Sequence, residues 1–390
     1  MRFTKTLMIT IIILSLTFSG FIFADESLNL ECKSAILMDS ATGKVLYETN
    51  SHEKLEPASV TKIMTMLLAM EALDTGKITL QDKVIISKNV AKMKTGTRLM
   101  LEEGEIRTVE DLLYGVAVES GNDASIAIAE CVAGGEGEFV KAMNKKAKEL
   151  GMNDTNFENP HGLHSENHKT SAHDIGIMSR ELIQHEKIFD FISKYMVTVY
   201  VGRKNDVKRE LVNKNKMVHF YKDVDGIKTG FTDEAMFCIS VTAKNNNIRL
   251  VSVIMGAPDT TKRNRDARKL IDYGFANYVN HSFGKKGELV KQVKVNKGDS
   301  ESVDAVFETN ADILLRKGEE KGLEKIFDLP DAIAAPLKQG QKIGEITIKK
   351  DGEQIASFNI ISDKDIGKAS FVNNILRAIK YWFNYIGISF

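Results

Sequence analysis

Apolar residues recur along this chain at two spacings, and the changes from one to the other mark out its elements. Ala35-Ile36-Leu37-Met38 and Val45-Leu46-Tyr47 flank the turn Asp39-Ser40-Ala41-Thr42-Gly43-Lys44, which predicts a β-hairpin between Ser34 and Asn50. From Ser59 the spacing becomes helical. Ile63, Met64, Met66, Leu67, Leu68 and Met70 are too many for one surface face, so this helix is expected to run buried through the middle of its domain. Further helices are predicted over Val109 to Ala117, Ala124 to Val132 and Glu138 to Leu150, the last two parted by Gly134-Gly135. A histidine-rich loop from Asn153 to Asp174 precedes another helix, from about Ile175 to His185. After Lys204, alternation returns around 225–230, 235–244 and 248–256, with Lys244-Asn245-Asn246-Asn247 as a tight turn. A helix from about Thr260 to Asn277 closes this part of the chain.

Gly284-Lys285-Lys286-Gly287 has the composition of a linker, and the pattern then changes. Short alternating segments at Val290 to Val295, Val303 to Glu308, Lys342 to Lys349 and Gln354 to Ile361 predict a small all-β sandwich without a catalytic constellation. The ends differ again. Arg2 and Lys5 precede an apolar run from Leu7 to Phe23, then Ala24 and the pair Asp25-Glu26, the pattern of a secretory signal peptide cut after Ala24. The run approaches the length of a bilayer span, so a retained anchor is the alternative. At the other end, Phe371, Val372, Ile375, Leu376, Ile379, Trp382, Phe383 and Ile386 fall at helical spacing, with Lys368, Arg377 and Lys380 largely opposite. Such a helix can lie in an anionic membrane surface or pack on the protein, but its polar interruptions exclude a span. The expected division is a signal peptide over 1–24, a catalytic domain over 25–283, a β-sandwich over 284–364 and an amphipathic membrane-anchoring helix over 365–390.

Acidic and basic residues number 53 each, so no basic excess points to nucleic acid. Cys32, Cys131 and Cys238 are too few and too widely spaced for a disulfide framework, and no Cys/His spacing suits zinc. His161, His164, His168 and His173 are irregularly spaced in a polar loop and read as solvated or loop-packing residues. Neither a metal nor another cofactor is expected.

The candidate chemistry lies in three ordered motifs: Ser59-Val60-Thr61-Lys62, Ser120-Gly121-Asn122 and Lys228-Thr229-Gly230. A serine hydroxyl needs a base within reach to act as a nucleophile. Lys62, three residues on, shares a helical face with Ser59. It can serve as base if burial and a neighbouring positive charge, such as Lys228, keep its amine neutral. The three motifs in this order resemble those of β-lactamases and penicillin-binding proteins. With Pro57-Ala58, Val118-Glu119, Asp225-Gly226-Ile227 and Phe231-Thr232-Asp233-Glu234-Ala235 around them, they resemble a serine-type D-alanyl-D-alanine carboxypeptidase of the S11 family.

That resemblance implies an α/β (α+β) β-lactamase/transpeptidase-like catalytic domain, an antiparallel sheet with a helical cluster. Gln339-Gly340-Gln341-Lys342-Ile343-Gly344-Glu345 likewise resembles the C-terminal domain of the family. It implies an exported enzyme, secreted or held at the extracytoplasmic face of the bacterial membrane, that acts on peptidoglycan stem peptides and is acylated by β-lactams. It makes Ser59 the nucleophile and has Ser120 relay a proton to the departing D-alanine while Asn122 holds Lys62 and the substrate amide. Lys228 and Thr229 bind the terminal carboxylate, Gly230 admits the substrate backbone, and the N–H groups of Ser59 and Phe231 form the oxyanion hole. Arg263 matches a carboxylate-binding arginine, with Arg265 and Arg268 as close competitors. Lys94-Thr95-Gly96 repeats the third motif but precedes Ser120 and lacks a strand pattern, so it is expected in a loop near the cleft. Phe231 replaces a histidine found in some relatives, Met236 a glycine or small residue, and His164 an aspartate. A β-lactamase on the same motifs, or a catalytically silent receptor for cell-wall peptides, are the alternatives.

Overall fold

The computed structural model describes residues 28–370. The expected signal peptide, and the amphipathic helix from 371 onward, lie outside the described residues. One five-stranded antiparallel sheet organises the catalytic domain, in the spatial order Val45–Thr49, Ser34–Asp39, Ile248–Ala257, Met236–Asn245 and Val224–Thr232. Both of its faces are covered. Ile36, Met38, Cys238, Val251 and Val253 pack towards the helices, while Ala35, Leu37, Ile239, Val241 and Leu250 pack with Leu270 and Ile271 of the helix Thr260–Asn277. Alternate residues therefore enter different cores, which is why these strands carry nearly continuous apolar runs. The strand Val224–Thr232 lies at one edge of the sheet.

The helix Lys62–Asp74 runs through the larger core, and every residue from Lys62 to Met70 is buried. The helices Asn122–Ala133, Glu136–Glu149 and Ala172–Leu182 surround it. The closing helix spans Thr260–Asn277, capped by Asp259, whose carboxylate accepts the Lys262 N–H at 2.7 Å. The predicted helix over Val109 to Ala117 ends earlier, at Tyr114, where the chain widens into a π turn, Gly115–Glu119. A hairpin absent from the sequence reading, Met196–Val201 with Val207–Val212, is held at its tip by Arg107, which donates to the carbonyls of Tyr200 and Gly202.

Among the described residues beyond 288 the protein is all β. A six-stranded sheet contains the four expected strands together with Leu323–Asp328 and Ala332–Ala334 at its edges. Val293, Val303, Ala305, Ile346, Ile348 and Ile360 form its separate core. The junction is more than a linker, because Tyr278–Ser282 pairs with Asp312–Arg316 across it. The anchoring helix expected over 365–390 does not start at 365. Ile366 is buried and bridges Leu337, while Lys368 bridges Gly298, so residues 366–368 belong to the β domain.

Candidate active site

Ser59 sits in a short 3₁₀ turn, Ala58–Thr61, that runs directly into the helix begun by Lys62. Lys62 Nζ lies 3.0 Å from Ser59 Oγ and 2.7 Å from both Asn122 Oδ1 and the His161 carbonyl oxygen. The Asn122 amide is oriented by its Nδ2, which donates to the Thr95 carbonyl at 3.0 Å, so oxygen faces the lysine. Two of the three partners of Lys62 can therefore only accept. A neutral amine gives them its two N–H groups and turns its lone pair to the one partner that can donate, the Ser59 hydroxyl. The surroundings favour that state. Lys62 is fully buried, and burial first, then the positive charge of Lys228, hold its amine well below the usual lysine range against the opposing pull of Asp123.

Ser120 follows the π turn in a left-handed conformation, φ 67° and ψ 34°, before the helix resumes at Asn122. Such backbone is costly for a residue with a Cβ and is typical of functional sites. Lys228 Nζ donates to the Ser120 hydroxyl at 2.8 Å and to the Thr229 carbonyl at 3.1 Å. Burial, then the charges of Lys214 and Arg263, bring the Lys228 amine down to about 7. Lys214, which no motif flagged, lines the cleft and pairs with Glu119 at 3.1 Å.

Between these walls lies a cleft of about 490 Å³, lined by Ser59, Ser120, Asn122, Thr229, Phe231 and Arg263 among others. Gly230 has a structural duty beside the one expected of it. A Cβ there would lie 2.8 Å from the Pro57 oxygen and 3.0 Å from Ser59 N, so glycine lets the edge strand seat against the Ser59 turn. Arg263 is the arginine of its helix that reaches the cleft, whereas Arg265 pairs with Glu31 and Asp266, and Arg268 with Asp272. Lys94-Thr95-Gly96 forms a loop in which Gly96 lines the cleft and Thr95 holds Asn122. Asp123, also unflagged, fixes the next stretch by accepting the N–H groups of Leu99 at 2.9 Å and Leu101 at 3.1 Å.

The Asn159-Pro160-His161-Gly162-Leu163 loop supplies what side-chain motifs cannot show, the carbonyl that holds Lys62. It packs tightly on the Ser59 turn: Gly162 has φ +85°, and a Cβ there would lie 1.8 Å from the Ala58 oxygen. Thr65 Oγ1 donates to the Pro160 carbonyl at 2.6 Å. His168 is buried, accepts the Glu158 N–H on Nδ1 and sets Nε2 2.8 Å from the Thr61 hydroxyl. Exposed His164 lies 3.1 Å from both oxygens of Glu56, with Glu234 nearby, and Lys169 donates to Glu56 at 2.8 Å. That cluster is already satisfied as an ion-pair network. Met236 occupies a left-handed position, φ 56°, which explains a preference for glycine there.

An antiparallel sheet packed on a helical cluster, with a serine and lysine heading the central helix and a lysine-bearing edge strand opposite, is the architecture of the penicillin-binding serine enzymes. A family model described as D-alanyl-D-alanine carboxypeptidase matches residues 22–259, and one described as the C-terminal domain of penicillin-binding protein 5 matches residues 278–368. The chain belongs to the S11 peptidase family of D-alanyl-D-alanine carboxypeptidases. It is 44% identical over 386 residues to D-alanyl-D-alanine carboxypeptidase DacF of Bacillus subtilis (strain 168), covering 98% of each chain. Penicillin binding protein 5 from Haemophilus influenzae is 32% identical with a TM-score of 0.72, over 87% of this chain and 98% of that one. Penicillin-Binding Protein D2 from Listeria monocytogenes, solved in a cefotaxime-bound form, is 29% identical with a TM-score of 0.57, over 63% of this chain and 98% of that one.

Proposed function

We propose that this carboxypeptidase removes the terminal D-alanine from peptidoglycan pentapeptide stems through an acyl-enzyme on Ser59. The observation that carries the assignment is the partner set of Lys62, two obligate acceptors and one hydroxyl. Ser59 Oγ attacks the carbonyl carbon of the penultimate D-alanine as its proton passes to Lys62 Nζ. The resulting oxyanion lies between the N–H groups of Ser59 and Phe231. Collapse breaks the C–N bond, and the Ser120 hydroxyl, linked to Lys228, delivers a proton to the departing amine. Lys228, Thr229 and Arg263 hold the free carboxylate of that leaving residue. The proton Lys62 took from Ser59 restores the Ser120 hydroxyl, so Lys62 is neutral again when water attacks the ester; it accepts the water's proton and returns it to Ser59 Oγ as the shortened stem departs.

β-Lactams acylate Ser59 in the same way but leave no amine to diffuse away. Among the described residues no dedicated deacylating base is assigned, and the chain carries an extra β domain, which favours the carboxypeptidase over a β-lactamase. The mature protein acts outside the cytoplasm after removal of 1–24, and the segment beyond 370 holds it to the membrane surface. Release of free D-alanine from diacyl-Lys-D-Ala-D-Ala, assayed beside β-lactam hydrolysis, tests the reading. Sustained D-alanine release with slow β-lactam turnover is expected. Rapid β-lactam turnover without D-alanine means a β-lactamase, and neither activity means a receptor. Ser59→Ala is expected to abolish covalent penicillin labelling with the fold intact. Truncation after residue 370 is expected to release the protein from membranes, and unchanged retention would refute the tail's role.

A further inference from the structure

Phe231 is the exposed aromatic of the cleft, 52% accessible, on the strand that carries Lys228. Its backbone N–H has a place in the mechanism, but its ring does not. Phe231 lies directly opposite Phe237 in the antiparallel pair, and their ring centroids are 4.4 Å apart at an interplanar angle of 32°. Residues directly opposite one another project from the same face of a sheet. Thr229 pairs with Ile239 two positions on, so it shares that face, the one packed against the closing helix. From the first turn of that helix, Thr260 and Arg263 complete the same end of the cleft. A hydroxyl, a guanidinium and two aromatic rings therefore line the same end of the cleft.

We propose that the Phe231–Phe237 pair is the wall that reads the side chain of the leaving residue, selecting an apolar D-amino acid at the C-terminus of the substrate. This rests on the carboxypeptidase reading, in which Thr229 and Arg263 hold the terminal carboxylate. A carboxylate held by Thr229 and Arg263 sets the adjoining Cα substituent of the same residue at the end of the cleft that the rings line. The D-alanine methyl covers part of an aromatic surface that is otherwise wet, and glycine has nothing to place there. Larger apolar side chains gain from the same contact. A cationic side chain of similar length loses hydration against the rings and is repelled by the buried Arg263.

The test measures kcat/KM for diacyl-Lys-D-Ala-X substrates with X as D-alanine, glycine, D-leucine and D-lysine, using the mature protein. A methyl group against an apolar wall is worth roughly 10-fold or more, so D-alanine is expected to exceed glycine by that factor and D-leucine to exceed D-lysine. In Phe231→Ala and, separately, Phe237→Ala, the D-alanine to glycine ratio is expected to fall to within about 2-fold. Because the ratio is read within one variant, it is independent of any general loss of rate. Equal rates for D-alanine and glycine in the native protein, or a ratio that survives in both variants, overturn the assignment of the wall while leaving the carboxypeptidase intact. No release of any leaving residue by the native protein overturns the carboxypeptidase reading and the wall with it.

Discussion

Around the cleft, Lys62, Lys228, Arg263, Asp123, His161 and His168 are all buried, whereas within residues 289–362 the buried side chains are apolar apart from Ser362. Burying an ionisable group costs several kcal/mol unless it is paired or gives up its charge. The β domain avoids that cost and folds on an ordinary apolar core. The catalytic domain accepts it, in structural groups such as Glu105, Arg107 and Asp266 and, around one cleft, in Lys62, Lys228, Arg263, His161 and His168, all lowered chiefly by burial. Perturbed ionisation concentrated in one cleft is the physical signature of a reaction site, so the contrast separates the part of the chain that carries the candidate chemistry from the part that carries none.

The largest expected effect breaks the contrast at its centre. Lys62→Ala removes the proposed base and leaves Asn122 Oδ1 and the His161 carbonyl without their shared donor. Acylation by a fluorescent penicillin and D-alanine release are both expected to fall about 10³-fold or more. Rates within tenfold of the native protein would remove Lys62 from its role. In the β domain, Ile360→Ala deletes a fully buried side chain and is expected to cost about 2–5 kcal/mol of that domain's stability. Its kcat/KM is expected to stay within about 2-fold, since no charged group of the cleft touches that core. Loss of activity in the folded variant would mean the domains are coupled.

A smaller effect tests the backbone rather than a side chain. Gly162→Ala forces a Cβ towards the Ala58 oxygen and displaces the loop whose His161 carbonyl orients Lys62. Misplacement of a catalytic group by about 1 Å costs roughly 10²-fold, and that loss in the acylation rate is expected. Native acylation in the variant would show that the His161 carbonyl is dispensable.

Much of this was legible in the sequence where local pattern and tertiary role agree. The helix Thr260–Asn277 and the strands Met236–Asn245 and Ile248–Ala257 follow from apolar runs ended by turns or a cap, and the motifs name the side chains of the cleft. Tertiary contacts hid the rest. The helical pattern from Val109 carries no sign of the π turn that sets Ser120 in its left-handed conformation. The Met196–Val212 hairpin exposes Met196, Tyr200 and Val207, and is held by Arg107 from a distant segment. The His161 carbonyl, as a backbone atom, leaves no trace in any motif. At the C-terminal end, Ile366 falls within the expected helix yet completes a β core, because a lone apolar residue between Asp363-Lys364-Asp365 and Gly367-Lys368 carries no periodicity of its own.

The last effect concerns acid. Burial chiefly lowers His161 to about 3 and His168 to about 4, against an ordinary value of 6.5. In the unfolded chain both rings take up protons as the pH falls through about 6.5, while the folded rings stay neutral until about 4 and about 3. Between those limits the unfolded state binds more protons, so stability is lost as the pH falls, at about 1.4 kcal/mol per pH unit for each ring. Exposed His164, raised by its hydrogen bond to Glu56, has the opposite sign, and solvent screening leaves it a minor offset. Residues 289–362 contain no histidine. Calorimetry from pH 7 to pH 4 is therefore expected to show the catalytic transition falling to lower temperature ahead of the β-domain transition. His168→Gln, which keeps a donor near Thr61 but cannot titrate, is expected to reduce that slope by roughly half. An unchanged slope would place the acid sensitivity elsewhere, in the carboxylates both domains share, and the contrast in buried charge would then have no bearing on how the two parts come apart.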